Sequence, residues 1–371
     1  MSKIRFVGLD VHKESISIAV ADSDGGEPGI LATIGNDAEE LIKRLRKLGA
    51  AGSVKCCYEA GPTGFSLQRK LAKAKIPCAV VAPSAIPKLP GGRVKTDRRD
   101  AIHLARCFRS EMLTPIHVPD EQTEAMRDLE RAREDAKDFQ RIARHQLGKF
   151  LLRHDRIYVG KTAWTEKHMT WIGEQKFAHQ AQNEVLSDYV HAVEESNLRI
   201  EKLDKQIQER VEGWSLAPLV EQLQAFRGIR LLSAVVIAAE IGDFSRFGTA
   251  GSFMAYLGLV PSEHSSGASR KQGPITRTGN GHVRRILIES AWAYRFKPAR
   301  STALRKRSEQ ATEAVRDIAW KAQGRLNGRY KKMLGRGKNK NQTVTAIARE
   351  LAGFVWAAAQ TIACAEERTT N

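Results

Sequence analysis

Two short apolar runs that each stop at a carboxylate constrain this chain most. Phe6-Val7-Gly8-Leu9 stops at Asp10, and Val54-Lys55-Cys56-Cys57-Tyr58 stops at Glu59. Such runs predict buried strands whose next residue emerges at a sheet edge. Carboxylates gathered there without a counter-charge cost free energy. Two more acids, Asp97 and Asp100, stand three apart and share one face of a helix. Taken singly, Asp10 reads as an ordinary strand end and Asp97 as a helix N-cap. As a set, Asp10, Glu59, Asp97 and Asp100 predict a divalent-cation site suited to phosphoryl transfer on nucleic acid.

The surrounding pattern supplies the frame. Strands are expected at Ile4 to Leu9, at Ser15 to Val20 with period-two alternation, and at Ile30 to Ile34, with Asp22-Ser23-Asp24-Gly25-Gly26 as a turn. A helix carrying Leu41, Leu45 and Leu48 and ended by Gly49 follows. Then come the strand into Glu59, a helix about Leu67 to Ala74, and a strand from Ile76 to Val81. A meander followed by alternating helices and strands fits an RNase H-like α/β core. An actin-like ATPase core begins similarly, but it needs small residues after the first Asp so that backbone N–H groups can reach phosphates. Here Val11-His12-Lys13-Glu14 occupy that place. Ala85 to Lys95, rich in proline, glycine and basic residues, reads as a mobile loop leading into the Asp97/Asp100 helix.

With 371 residues, the chain is long enough for two domains and a connector. Its formal charge of +18 points to a polyanionic partner. The charge is uneven: His264 to Lys340 holds 20 Lys and Arg against four acids. No apolar stretch is long enough to span a bilayer, and no basic-plus-apolar leader is read. Five cysteines without CxxC or Cys/His spacing indicate neither zinc nor a disulfide framework, which suits a reducing cytoplasm.

Glu121 to Arg153 and Asn183 to Val211 are charged and helical. In the second, Leu186, Val193, Ile200 and Ile207 recur every seven residues, with Tyr189 and Leu203 between them. That row predicts a coiled coil, either between chains or as an amphipathic helix packed within its own chain. Trp164, Trp171, Lys161, Lys167 and His168 between the two stretches form either a base-stacking surface or a small hydrophobic cluster. Gly228, in Phe226-Arg227-Gly228-Ile229-Arg230, offers a tight turn of the helix-hairpin-helix kind, whose N–H groups could hold a phosphate. Gly258 to Gly267 is a polar loop with Ser265 and Ser266, continued by Arg270, Lys271, Arg277 and the helix with Arg284 and Arg285. A serine among arginines suits attack on a phosphodiester, the guanidiniums holding the phosphate.

Four segments together carry a resemblance: Gly8-Leu9-Asp10-Val11; Tyr58-Glu59-Ala60-Gly61-Pro62-Thr63-Gly64; Lys95-Thr96-Asp97-Arg98-Arg99-Asp100-Ala101; and Gly258-Leu259-Val260-Pro261 with Ser265-Ser266-Gly267 and Arg277-Thr278-Gly279-Asn280. In this order they resemble the DEDD transposases of bacterial insertion sequences, the recombinases guided by a bridge RNA. The resemblance implies a RuvC-like catalytic domain over 1–118 and a helical coiled-coil connector over 119–214 with an insertion near 155–182. It implies a mainly α C-terminal transposase domain over 215–364 with a helix-hairpin-helix-like part, then a tail over 365–371. It implies Mg²⁺, with Mn²⁺ as a substitute, on Asp10, Glu59, Asp97 and Asp100, and Ser266 as nucleophile, chosen over Ser265 because it adjoins Gly267.

The implied partners are double-stranded DNA at the element ends and target, a structured guide RNA, and further copies of the chain in dimers and tetramers. In such assemblies the serine of one protomer meets the acids of another. Lys95, Arg98, Arg99, Arg270, Lys271, Arg277, Arg284 and Arg285 are the expected nucleic-acid contacts, in the bacterial cytoplasm at the nucleoid and away from any membrane. The competing readings are a Holliday-junction-type nuclease that uses water and a non-catalytic nucleic-acid-binding scaffold.

Overall fold

The computed structural model describes residues 3–370 other than 51, 88–95, 264, 267–268 and 270, and side chains as far as residue 362. The chain divides into two compact units, Met1–Val118 and Pro119–Asn371.

The first unit is a five-stranded sheet with helices on both faces. Its strands are β1 (Arg5–Val11), β2 (Ser15–Asp22), β3 (Gly29–Gly35), β4 (Val54–Glu59) and β5 (Cys78–Val81), and its helices α1 (Ala38–Leu48), α2 (Ser66–Lys73) and α3 (Asp97–Arg109). The strand order is β3-β2-β1-β4-β5. The first three strands are antiparallel, and β1, β4 and β5 run parallel. Period-two alternation sorts the side chains. Val7, Leu9, Ile16, Ile18, Cys56 and Tyr58 pack with Leu41 and Leu45 of α1 and Leu67 and Leu71 of α2. The opposite face carries small residues. Ala19 and Ala21 pack with Ala101 and Ala105 of α3, and Cys57 packs with Leu104. At the middle of that face is Gly8, where a Cβ would stand 2.9 Å from Leu104 Cβ and nearer still to Ala101 O and Ala105 N. Only a bare backbone lets α3 lie so close to β1.

The second unit opens with two long helices, α4 (Glu121–Arg153) and α6 (Gln180–Val211), with α5 (Glu166–Gly173) between them. They run antiparallel: Arg133 pairs with Asp204, Gln140 Nε2 donates to Asn197 Oδ1 at 2.6 Å, and the Phe150 and Tyr189 rings meet at 5.7 Å. The heptad row Leu186, Val193, Ile200 and Ile207 is buried within this chain, in the first two cases against Ala143, Leu147 and Phe150 of α4. Trp164 and Trp171 join that same hydrophobic cluster, and His168 packs edge-on to Trp164 and stacked with Trp171.

The remainder is helical apart from one hairpin: α7 (Ala217–Leu223), α8 (Leu231–Ile241), α9 (Ala250–Tyr256), β6 (Pro261–Glu263), β7 (Gln272–Ile275), α10 (Gly281–Ala291), α11 (Thr302–Ser308), α12 (Glu313–Gly335) and α13 (Lys340–Thr370). From Ala234 to Ile241, α8 is buried on every side, as a helix apolar all round should be. It shares a core with Val344, Ile347, Leu351 and Val355 of α13. Gly228, at φ 88°, sits between α7 and α8, where a Cβ would strike Ser290 O of α10. The glycine is therefore required by packing as well as by the turn.

Candidate active site

The acidic residues are delivered by the packing of the first unit. The β1–β4 register ends with Leu9 opposite Tyr58, so Asp10 and Glu59 are the next residues of adjacent parallel strands. Both follow the parity of Gly8 and Cys57, which is the face that α3 covers. Thr96 caps α3 by accepting from Arg99 N, so Asp97 is the first helical residue, and the capping role that it would have had if taken singly falls to its neighbour. With α3 seated over Gly8, its first turn brings Asp97 and Asp100 toward the end of β1.

His12 completes the group and had no place in the sequence reading. Its Nε2 is 3.2 Å from Asp10 Oδ2 and 3.7 Å from Asp97 Oδ1. The hairpin turn holds it, with His12 N donating to Ser15 O at 2.9 Å and Asn36 Nδ2 donating to His12 O at 2.7 Å. Among the described residues, Asp10, His12 and Asp97 offer ligand atoms within 4.8 Å of one another; Glu59 and Asp100 lie outside that ring. The Asp10 carboxyl is raised above its ordinary value, chiefly by burial, with His12 opposing and the charges of Asp97 and Asp100 adding. The donor set of carboxylate oxygens and one imidazole suits a divalent cation, which would relieve that desolvated charge.

The serine segment, read as a loop, is a hairpin. β6 and β7 pair at Pro261–Ile275 and Glu263–Gln272. At its far end Ser266 and Ser269 exchange both backbone bonds at 3.1 Å. The Ser265 hydroxyl donates to Glu263 Oε1 at 2.8 Å, and Ser266 is exposed. The base is pinned by Arg284, whose Nη1 donates to Leu257 O at 2.8 Å and Thr278 O at 2.9 Å. Arg285 pairs with Glu134 at 2.8 Å and Glu289 at 3.4 Å. Lys271, Arg277, Arg98 and Arg99 are exposed, whereas Lys95, His264, Gly267 and Arg270 lie outside the described residues.

The chain shares these segments with known proteins. Residues 7–154 match a transposase family model, that of the DEDD transposases of IS110, and residues 220–305 match the model of the transposase IS116/IS110/IS902 family. The chain is 45% identical over 357 residues to a candidate transposase, y4qE, of Sinorhizobium fredii, covering 96% of this chain and 88% of that one. It is 32% identical over 338 residues to the transposase for insertion sequence element IS1533 of Leptospira borgpetersenii, covering 90% and 97%. The chain belongs to the IS116/IS110/IS902 family of transposases. Among the described residues of this transposase, no helix is long and apolar enough to cross a membrane.

A second charged cluster supports the transposase's serine hairpin, built from residues too far apart in the chain for any motif to reveal it. Asn280 caps α10 through Val283 N at 2.9 Å, and its Nδ2 donates to Glu240 Oε2 at 2.7 Å. Arg131 grips Glu240 with two bonds, at 2.8 and 3.1 Å, while Arg127 holds Ala239 O. Burial alone would raise the Glu240 carboxyl, but Arg131, with Arg127 and Asn280 behind it, holds it below its ordinary value. Beside it, Glu130 is 2% exposed and its Oε2 has no hydrogen-bond partner. Burial first, then the charges of Glu134 and Glu240, push Glu130 up to about 7. The cluster ties α4 and α8 to the strand-to-helix junction that follows the serine hairpin.

Proposed function

We propose that this transposase is a metal-dependent DNA recombinase with an RNase H-like first unit, in which Ser266 is the nucleophile. The observation that carries the reading is the meeting of Asp10 and Asp97, with His12 between them, beside the strand end that bears Glu59. The strand order β3-β2-β1-β4-β5, antiparallel then parallel, supports the RNase H-like assignment.

Asp10, Glu59, Asp97 and Asp100 would hold Mg²⁺ or Mn²⁺, with His12 beside them. A bound cation supplies charge that favours the alkoxide of a hydroxyl nucleophile and steadies a leaving oxygen. Ser266 Oγ would attack a DNA phosphate: its bond to phosphorus forms, one P–O bond of the strand breaks, the serine proton passes to solvent, and the leaving strand oxygen takes up a proton to end as a free hydroxyl. The number of phosphoester bonds is unchanged, so the strand is rejoined without ATP. The exposed Lys271 and Arg277 flank the serine hairpin and suit phosphate contact.

The acidic residues lie in the first unit and the serine in the second, an arrangement that suits the meeting of serine and acids from different protomers in a dimer or tetramer. Target choice is assigned to a guide RNA, with the basic segment from His264 to Lys340 reading backbone rather than sequence.

The test is a denaturant-resistant protein–DNA adduct formed with element-end DNA, the element's RNA and Mg²⁺. Loss of the adduct in both Ser266→Ala and Asp10→Ala supports the reading. Cleavage that survives Ser266→Ala without an adduct transfers the site to a water-using nuclease, and binding without cleavage in the wild type makes the chain a scaffold.

A further inference from the structure

The second unit carries an open pocket of about 440 Å³, distinct from the acidic cluster and the serine hairpin. Its most informative side chain is Trp320 on α12. Of the six tryptophans in the chain, it alone is exposed, at 39%. Arg300 lies over its ring with the guanidinium carbon 4.8 Å from the centroid. Arg305 and Arg316 also line the pocket, against a single carboxylate, Glu309. Among the described residues, none of these three arginines is in an ion pair. Gln323, 3% exposed, forms part of the wall. Its Oε1 accepts from Ala299 N at 3.1 Å, which leaves the Nε2 as a donor.

The same pairing recurs a few residues earlier. Phe296 is 52% exposed, with Arg295 over its ring at 4.6 Å and Arg227 at 5.6 Å. Asn327 of α12 holds the Phe296 carbonyl at 2.9 Å, so the Phe296 segment and the Trp320 helix are fixed to one another.

These features exclude most occupants. An apolar ligand would leave three guanidiniums facing it, and a small inorganic anion has no use for an exposed indole. A flat ring joined to a phosphate satisfies both at once. Base pairs within a duplex bury their faces against one another, so an indole that stacks on a base without first prying a duplex step apart meets one that is unpaired. We propose that this pocket binds an unpaired nucleotide of DNA or RNA. The base stacks on Trp320, Arg305 and Arg316 hold phosphates, and Phe296 offers the next stacking surface along the strand. The proposal deepens the nucleic-acid reading above and rests on it for the kind of polymer, while requiring neither the cation nor Ser266.

The test uses the full chain in chelator, so that no cleavage occurs, with fluorescence anisotropy of labelled oligothymidylate, oligouridylate and a duplex. Trp320→Ala is expected to weaken single-strand binding roughly 5- to 150-fold, with Trp320→Phe retaining most of it and duplex binding unchanged. Arg305→Ala/Arg316→Ala is expected to lower the slope of log affinity against log salt by roughly 0.7 per lost phosphate contact. A larger Trp320 effect on oligothymidylate assigns the strand to DNA, and a larger effect on oligouridylate assigns it to RNA. Wild-type single-strand affinity in Trp320→Ala, or an equal loss on duplex and single strand, overturns the proposal. A melting curve for each variant separates lost contact from lost fold. A failed adduct assay with an intact Trp320 effect would remove the serine chemistry and leave this pocket standing.

Discussion

Gly8→Ala tests whether the packing of α3 on β1 sets the acidic site. The added methyl would face the α3 backbone, 2.9 Å from Leu104 Cβ and closer to Ala101 O and Ala105 N. Ordinary carbon contacts need about 3.5–4.0 Å, so α3 must retreat by ~1 Å or the strand must bend by as much. Overpacking of this kind costs about 1–3 kcal/mol. The larger consequence is functional, because Asp97 and Asp100 travel with α3 while Asp10, Glu59 and His12 stay with the sheet. A misplacement of ~1 Å in a catalytic constellation costs on the order of 100-fold in rate. Gly29→Ala is the control, since it lies in the same sheet with nothing within 4 Å of the new methyl. Thermal melting and adduct formation across a Mg²⁺ titration are the assays. Gly8→Ala should melt lower, need more Mg²⁺ and react more slowly even at saturation, while Gly29→Ala should match wild type. A Gly8→Ala protein that melts lower yet keeps wild-type Mg²⁺ dependence and rate would refute the link between this contact and the site.

Two further expectations concern single side chains. His12→Ala should weaken divalent-cation binding by about 10-fold or more, measured by calorimetric titration of the full chain; an unchanged affinity would remove His12 from the site. Glu130, raised from 4.5 to about 7 by burial, gives a folded state whose stability is fully present below the unfolded value and is lost as pH rises through 7. Glu130→Gln should therefore be more stable than wild type above neutral pH by up to ~3 kcal/mol and flatten the stability profile between pH 4.5 and about 7. Parallel wild-type and Gln profiles would sink the assignment.

The parts of this fold that were legible in the sequence are those whose causes are local. The apolar run Phe6-Val7-Gly8-Leu9 marks β1 and its stop at Asp10 marks the carboxylate; in the sheet Val7 and Leu9 face the core while Gly8 and Asp10 share the other face. Leu186, Val193, Ile200 and Ile207 likewise mark the buried face of α6, but a heptad names a face and not its partner, which here is α4 of the same chain. His12 was not legible because the apolar run ends at Leu9, whereas the strand runs on to Val11 and the turn residue after it is His12, whose ring meets Asp10. The serine hairpin escaped because Pro261-Ser262-Glu263 and Gln272-Gly273-Pro274-Ile275 have no apolar alternation to reveal strands.

Charge was the least legible feature. In a chain with 60 Lys and Arg, each basic residue looks solvated or bound to polyanion until a partner is found for it. Arg131 finds Glu240 across 109 positions, and Asn280 finds the same carboxylate across 40. Arg284 and Arg285, expected as nucleic-acid contacts, spend donors on Leu257 O, Thr278 O, Glu134 and Glu289. Removing the half-buried Arg284 guanidinium takes the donor from Leu257 O and Thr278 O, so loss of DNA binding in Arg284→Ala would report a collapsed hairpin base as readily as a lost phosphate contact. The basic residues that can report on phosphate without that ambiguity are the exposed ones, Lys271 and Arg277 at the hairpin and Arg305 and Arg316 at the Trp320 pocket. Their salt slopes, compared pairwise, would show which of the two surfaces the polyanion occupies.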